Sequence, residues 1–427
     1  MKQTTIWKQE IALGKWDDRL QELYVDEKLV SGQRERYMEL LTTFEEQFGA
    51  DREVAIFSAP GRSEIAGNHT DHQQGEVLAA SVNLDAVAVV APTNDGWVRL
   101  SSQGYGMIEV DLEDLSPRKE EVGTSEGLIR GMFAGMKDRG FEGNGFVGCM
   151  TSDVLNGAGI SSSAAFEVLI GHIISGLYCD GKVDPVLIAQ ISQFSENVYF
   201  GKPCGLMDQT ACSVGNMIHI DFKEKENPVV ESVEVDFASY GHSLCIVDTK
   251  GSHADLTDEY AAVPAEMKAV AAELGKNVLR EVEEEEFYQK IPELREKLGD
   301  RPVLRAIHFF GEDRRVNAQV EALKNGEFER FLQLVQESGN SSFRFLQNVY
   351  TSKDIQNQSV SVALAVSEVL LAGIHGVCRV HGGGFAGTIQ AFVKDDFVEE
   401  YRNGMDAVFG KGACHVLKIR PVGGVQF

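Results

Sequence analysis

The segment Ser58-Ala-Pro-Gly-Arg62-Ser-Glu64-Ile-Ala-Gly-Asn68-His69-Thr70-Asp71-His72-Gln-Gln-Gly75 gathers an arginine, two acids, two histidines and several amide and hydroxyl groups in one short stretch. Such a set can ligate a metal, stand as a solvated loop, or clamp a polar small molecule by its hydroxyls. His69, Asp71 and His72 resemble a fragment of a metal site, but no further ligands are recognisable nearby.

Several glycine-rich stretches invite a phosphate-binding reading, and their contexts differ. Gly143-Asn-Gly145-Phe-Val-Gly148 has the letters of GxGxxG but precedes a strand instead of joining a strand to a helix, so a dinucleotide loop fails on context. Gly14-Lys15 and Gly201-Lys202 are followed by Trp16 and Pro203 where a Walker-A loop needs Ser or Thr. Gly157-Ala158-Gly159-Ile160-Ser161-Ser162-Ser163 lies between a strand and an apolar helix. There, glycines let backbone amides approach a ligand, serines cap the helix, and free N–H groups face an anion. The same letters also suit a plain capped helix. Gly382 to Gly387 sits between two strand-like runs, as a glycine hairpin or a second ligand loop.

These motifs need elements to hold them. Apolar spacing predicts helix from Trp16 to Phe48, a strand at Val54 to Ser58 turning at Ala59 to Arg62, and strands at Val77 to Pro92 and Trp97 to Leu112. A helix at Gly127 to Arg139, a strand at Gly145 to Val154, and helices from Ser161 to Tyr178 and Pro185 to Phe200 follow. Further strands are expected at Met217 to Phe222, Ser243 to Asp248, Gly376 to Val380 and Thr388 to Val393, and the acidic run Glu281 to Glu286 reads as a solvated helix face.

With 427 residues, 43% hydrophobic and 25% charged, the chain suits two domains with sizeable cores. A net charge of -25 with no basic run points away from nucleic acid and anionic membranes as partners. An odd count of 7 cysteines without a CxxC pair fits a reducing compartment. The start, MKQTTIWKQE, has no apolar h-region, and the apolar windows Phe166 to Tyr178 and Val360 to Val377 are broken by polar residues. The expectation is a cytoplasmic protein; oligomeric state stays open, with a monomer compatible.

Taken together, APGR…GNHTDH, GAGISSSAA, CGLMDQ and HGGGFAG, in that order from Ser58 onward, resemble the GHMP small-molecule kinases and, within them, the galactokinases. The resemblance implies an α/β (α+β) fold of two domains with the active site in the cleft between them. The expected boundaries are a helical extension at 1–50, which the resemblance does not explain, an N-terminal kinase domain at 51–230 and a C-terminal one at 231–427. It implies phosphorylation of a sugar at its anomeric hydroxyl, with ATP as cosubstrate and Mg²⁺ as cofactor.

By the same resemblance Asp208 is the catalytic aspartate and Arg62 the arginine beside it. Gly157, Ala158, Gly159, Ile160, Ser161, Ser162 and Ser163 bind ATP, and Ser163 and Glu196 hold Mg²⁺. Asn68, His69, Thr70, Asp71, Gly205 and Tyr260 contact the sugar, which makes the 58–75 segment a sugar clamp. On the residues alone, Asp208 reads as a turn or cap residue and Glu196 as a surface helix residue.

The chain departs from the family at several points. Galactokinases usually read GRxNLIGEHTDY where this chain reads GRSEIAGNHTDH, so asparagine and glutamate have exchanged places at Glu64 and Asn68, and His72 replaces a tyrosine. Leu155 replaces the usual proline before the phosphate loop. An amide in place of a carboxylate either keeps the hydrogen bond to the far end of the sugar or admits another substituent. Galactose is the expected sugar; N-acetylgalactosamine or a uronic acid is the alternative, and a non-catalytic galactose and ATP sensor is the reading from another class.

Overall fold

The computed structural model describes residues 1–154, 159–224, 227–251 and 256–427. A short strand β1 (Lys2–Gln3) precedes helices α1 (Thr4–Ala12), α2 (Asp17–Tyr24) and α3 (Glu27–Phe48). Then come β2 (Glu53–Ala66), β3 (Glu76–Pro92), β4 (Trp97–Ser102), β5 (Gly106–Asp111), α4 (Ser125–Asp138), β6 (Phe146–Ser152) and α5 (Ser162–Tyr178). Helix α6 (Pro185–Phe194) runs into a wide π-type turn, Ser195–Phe200, before α7 (Met207–Val214), β7 (Met217–Asp221) and β8 (Val229–Val233). The remainder is β9 (His242–Asp248), α8 (Thr257–Glu273), α9 (Glu284–Leu298), α10 (Asp300–Lys324), α11 (Phe328–Ser341), α12 (Ser359–Leu370), β10 (Gly376–His381), β11 (Thr388–Lys394), α13 (Val398–Phe409), β12 (Cys414–Leu417) and β13 (Val425–Gln426).

Among the described residues the strands form two sheets, giving a mixed α/β fold. The first has the order β1-β2-β3-β6-β4-β5, with β13 added on β2 and β7 then β8 continuing from β3; its β4·β6 pair is parallel. The second, β10-β11-β9-β12, is antiparallel throughout.

Period-two alternation sorts β2 and β3 between layers. Ala55, Phe57, Ala59, Ala86, Ala88 and Val90 pack with α4, α5 and α6, whereas Val54, Ile56, Val87 and Val89 pack with Trp7, Leu23, Leu41 and Phe44 of the N-terminal helices. The first 50 residues are thus the cover of the sheet's second face. No described helix is long and apolar enough to cross a membrane.

Five features stand out against the expected elements. Strand β2 continues through Arg62 to Ala66 because the long β3 offers it a partner, and the ladder shifts register between Pro60 and Arg62 and again between Glu64 and Ala66. The expected strand from Trp97 to Leu112 is a hairpin that turns near Gly104, at φ +84°. Helical geometry ends at Phe194 and widens, and β8, an edge strand absent from the expected elements, is mostly exposed despite its three valines. The acidic run places Glu284, Glu285 and Glu286 in the first turn of α9, where the helix dipole favours them.

The C-terminal tail crosses back to the first sheet. β13 pairs with β2, and Arg420 reaches the buried Asp85 at 3.1 Å, with neither side chain exposed. Asp85 also accepts from Arg36 Nη1 at 2.7 Å and Tyr24 Oη at 2.9 Å, and from Ser58 of β2. One carboxylate therefore ties the N-terminal helices and the tail to the strand that carries Arg62. Removing it leaves buried cations unpaired, so Asp85→Ala is expected to cost about 3–5 kcal/mol of stability. The urea midpoint reads this, and an unchanged midpoint would contradict it.

Candidate active site

A cavity of about 920 Å³ opens between the two sheets' elements, bordered by Arg62, Glu64, His69, Asp71, Lys202, Gly205, Asp208, Tyr260 and Gly383. Strand β2 delivers Arg62 and α7 delivers Asp208 in its first turn, where the helix N-terminus favours a carboxylate. Arg62 Nε donates to Asp208 Oδ1 at 2.8 Å and Nη2 to Oδ2 at 2.7 Å, a bidentate pair. The third nitrogen, Nη1, donates to Gly159 O, and the Arg62 backbone N–H donates to Ile160 O at 3.1 Å. A side chain on Gly61 would strike that same Ile160 carbonyl.

Burial works to raise the Asp208 pKa, but the Arg62 charge and hydrogen bonds, with a bond from Ser161, outweigh it and hold the carboxyl below the usual aspartate range. Its side chain keeps 31% exposure, toward the cavity.

Gly157 and Ala158 lie outside the described residues. From Gly159 on, the loop packs against β2, with Gly159 at φ +69° and Ser161 left-handed at φ +56°. Ser161 does not cap α5 as expected from sequence: its hydroxyl is spent on Asp208. The N–H groups at the start of α5 therefore have no side-chain cap, which suits an anion. Ser163 Oγ donates to Glu196 Oε1 at 3.1 Å.

Glu196 is not a surface residue. The π-type turn brings it inside, 2% exposed, where Gln209 Nε2 donates to Oε2 at 2.8 Å. Gln209 also reaches Glu167 Oε2 at 3.3 Å. A hydroxyl and a carboxylate side by side are hard oxygen donors, and few of them, which fits a magnesium ion that keeps most of its waters.

The clamp segment is held from behind by α10. Glu312 Oε1 accepts from Gly67 N–H at 3.3 Å, His308 Nε2 donates to Asn68 O at 2.9 Å, and Asp313 Oδ1 accepts from Glu76 N–H at 2.7 Å. His69, at φ +63°, donates from Nε2 to Gly383 O at 3.0 Å. Burial and the neighbouring His72 push its pKa down to about 4, so the ring is neutral and Nδ1 is an acceptor. Asp71 packs so tightly on Gly205 that any side chain there would meet its carboxylate.

The Gly382–Gly387 turn presents carbonyls. Gly382 O accepts from Asn68 Nδ2 at 2.7 Å, Gly383 O from His69, and Gly384 O from Tyr260 Oη at 2.6 Å. A row of acceptors facing the clamp is a brace and no anion cradle, which favours the hairpin reading.

Two residues expected at the sugar are directed elsewhere. Asn68 is fully buried, donating to Glu64 Oε1 at 3.0 Å and to Gly382, and accepting from Asn348 Nδ2 at 2.8 Å. Thr70 is also fully buried and donates to Gly67 O and Glu76 O. Neither borders the cavity, because their polar groups are consumed inside. Glu64 does border it, with its Oε1 paired to Arg379. Among the described residues no group of three or more His, Cys, Asp or Glu side chains is placed to hold a metal, so His69, Asp71 and His72 form none. Sequence reasoning did not foresee Lys202, Arg379 or Asn348; Gln209 stood inside the quoted CGLMDQ motif unused.

Residues 128–216 match the GHMP kinases N terminal domain, and residues 42–92 match the galactokinase galactose-binding signature. The fold is shared with a mevalonate kinase (TM-score 0.59, 14% identity, covering 85% of this chain and 98% of that one). It is shared more closely with Lactococcus lactis galactokinase complexed with galactose (TM-score 0.77, 24% identity, covering 90% and 98%). Galactokinase of Streptomyces coelicolor is 31% identical over 393 residues, covering 90% of this chain and 96% of the relative. That of Homo sapiens is 33% identical over 354 residues, covering 81% and 84%. The chain belongs to the galactokinase family.

The depressed Asp208 pKa has a signed consequence. The ion pair stabilises the fold above the ordinary aspartate value of about 3.9, and that contribution is lost as pH falls through the depressed value. Urea midpoints are therefore expected to fall on acidification below about pH 4 in wild type, and less steeply in Arg62→Met, where the pair is absent. Midpoints measured across the acid range check both; an identical acid profile in the two proteins would contradict the pairing.

Proposed function

We infer that the protein transfers the γ-phosphoryl group of ATP to the anomeric hydroxyl of galactose, giving galactose 1-phosphate and ADP. The observation that carries this reading is the bidentate Arg62–Asp208 pair at the wall of a cavity bordered by His69, Asp71 and Tyr260.

Phosphoryl transfer needs positioning and charge stabilisation more than covalent chemistry from the protein. His69 Nδ1 and the Asp71 carboxylate accept from sugar hydroxyls, and Glu64 offers the cavity the carboxylate that position 68 lacks. The uncapped start of α5 receives the phosphates. Ser163 and Glu196 are the residues that would hold Mg²⁺, which offsets phosphate charge when bound.

An aspartate held below its usual pKa is a weak base at neutral pH. Asp208 therefore orients the attacking hydroxyl and takes its proton late, once the oxygen is bonding to phosphorus and has become acidic. Arg62, 6% exposed with all three nitrogens engaged, keeps Asp208 ionised and fixed in place. The two sheets with their helices make two lobes around this cleft, and a cytoplasmic setting supplies the ATP.

Asp208→Asn is expected to lower turnover about 10² to 10⁴-fold while galactose binding by calorimetry stays within a few-fold; undiminished turnover removes Asp208 from the mechanism. With ADP formation as the readout, galactose is expected to outperform N-acetylgalactosamine and galacturonate. A preference for either of those relocates the substrate.

A further inference from the structure

The ammonium of Lys202 stands 3.0 Å from Glu196 Oε1, the same oxygen that Ser163 Oγ approaches at 3.1 Å. The other oxygen, Oε2, is engaged by Gln209 at 2.8 Å. Lys202 also borders the cavity that Arg62 and Asp208 border. Its backbone N–H is tied to Glu196 O at 3.1 Å, between Gly201 at φ +80° and Pro203, while its side chain stays 60% exposed. The root is fixed and the charged head is free to move on a flexible stem.

An ammonium seated on a carboxylate oxygen excludes a second cation from that oxygen, since like charges at contact distance repel. Among the described residues no group of three or more His, Cys, Asp or Glu side chains is placed to hold a metal. A bare divalent ion at Glu196 Oε1 thus meets one hydroxyl and a competing cation, with the second carboxylate, Glu167, held on the far side by the Gln209 amide. A triphosphate in the same cavity changes this balance twice over: it adds anionic oxygens for a metal, and it offers Lys202 a new partner.

We propose that Lys202 is the resident counter-ion of Glu196, so that a divalent metal is held together with the nucleotide and not ahead of it. Lys202 is a positioning residue, acting through Glu196, and the proposal rests on the reading of Ser163 and Glu196 as the metal ligands.

The test titrates Mn²⁺ alone into wild type, Lys202→Met, Lys202→Arg and Lys202→Met/Glu196→Gln proteins, with free and bound ion separated by electron paramagnetic resonance and folding checked by thermal melts. Lys202→Met is expected to bind Mn²⁺ about tenfold more tightly than wild type, from the lost repulsion. Lys202→Arg stays as weak as wild type, and Glu196→Gln cancels the gain. Equal affinity in wild type and Lys202→Met overturns the counter-ion role. Glu196→Gln alone, titrated in the presence of a non-hydrolysable ATP analogue, tests the underlying reading separately: unchanged Mn²⁺ affinity there overturns the metal assignment itself.

Discussion

The charge-assisted pair between Arg62 and Asp208 is the constraint around which the rest of the molecule is arranged. Its two partners lie 146 residues apart in the chain, on a strand and at a helix start. A buried guanidinium and carboxylate offset their desolvation only when geometry is good and the remaining donors are satisfied. The structure meets that condition with Gly159 O for the last Arg62 nitrogen and the Ser161 hydroxyl for Asp208. The loop at Gly159 to Ser161 is thereby stitched to strand β2 and to the start of α7, so the two elements share one reference point.

Behind that pair, layers of fixed polar groups remove freedom from the clamp. Helix α10 grips the 67–76 backbone through His308, Glu312 and Asp313, while the glycine turn's carbonyls hold Asn68, His69 and Tyr260 from the other sheet. The N-terminal helices and the C-terminal tail meet at Asp85, four strand residues' reach from Arg62 through Ser58. Preorganisation of this kind lets binding energy go to orientation instead of to ordering the site.

Much of this was legible in the sequence, and the limits are physical. The strand Glu76–Pro92 and the helix from Ser162 to Tyr178 are long, nearly continuous apolar runs and were readable nearly to the residue. Three of the four motifs, APGR…GNHTDH, CGLMDQ and HGGGFAG, supply residues that border the cavity, among them Arg62, Asp208 and Gly383. What composition and spacing could not carry was direction. Asn68 and His69 are neighbours, yet the left-handed backbone at His69 turns one side chain into the protein and the other toward the cavity. Likewise Ser161 has the letters of a helix cap, and only the meeting of two distant elements shows its hydroxyl spent on Asp208. Glu196 looked like a solvated helix residue because a π-type widening, invisible to a 3.6-residue period, rotates it inward.

Transfer of phosphate to the anomeric oxygen of galactose in this cleft leaves its mark in the position of the phosphate on the product. Incubated with galactose, ATP and Mg²⁺, the protein is predicted to form a sugar phosphate whose phosphorus-31 resonance couples to the anomeric proton. Phosphate on the 6-hydroxyl, or no sugar phosphate at all, would contradict the account.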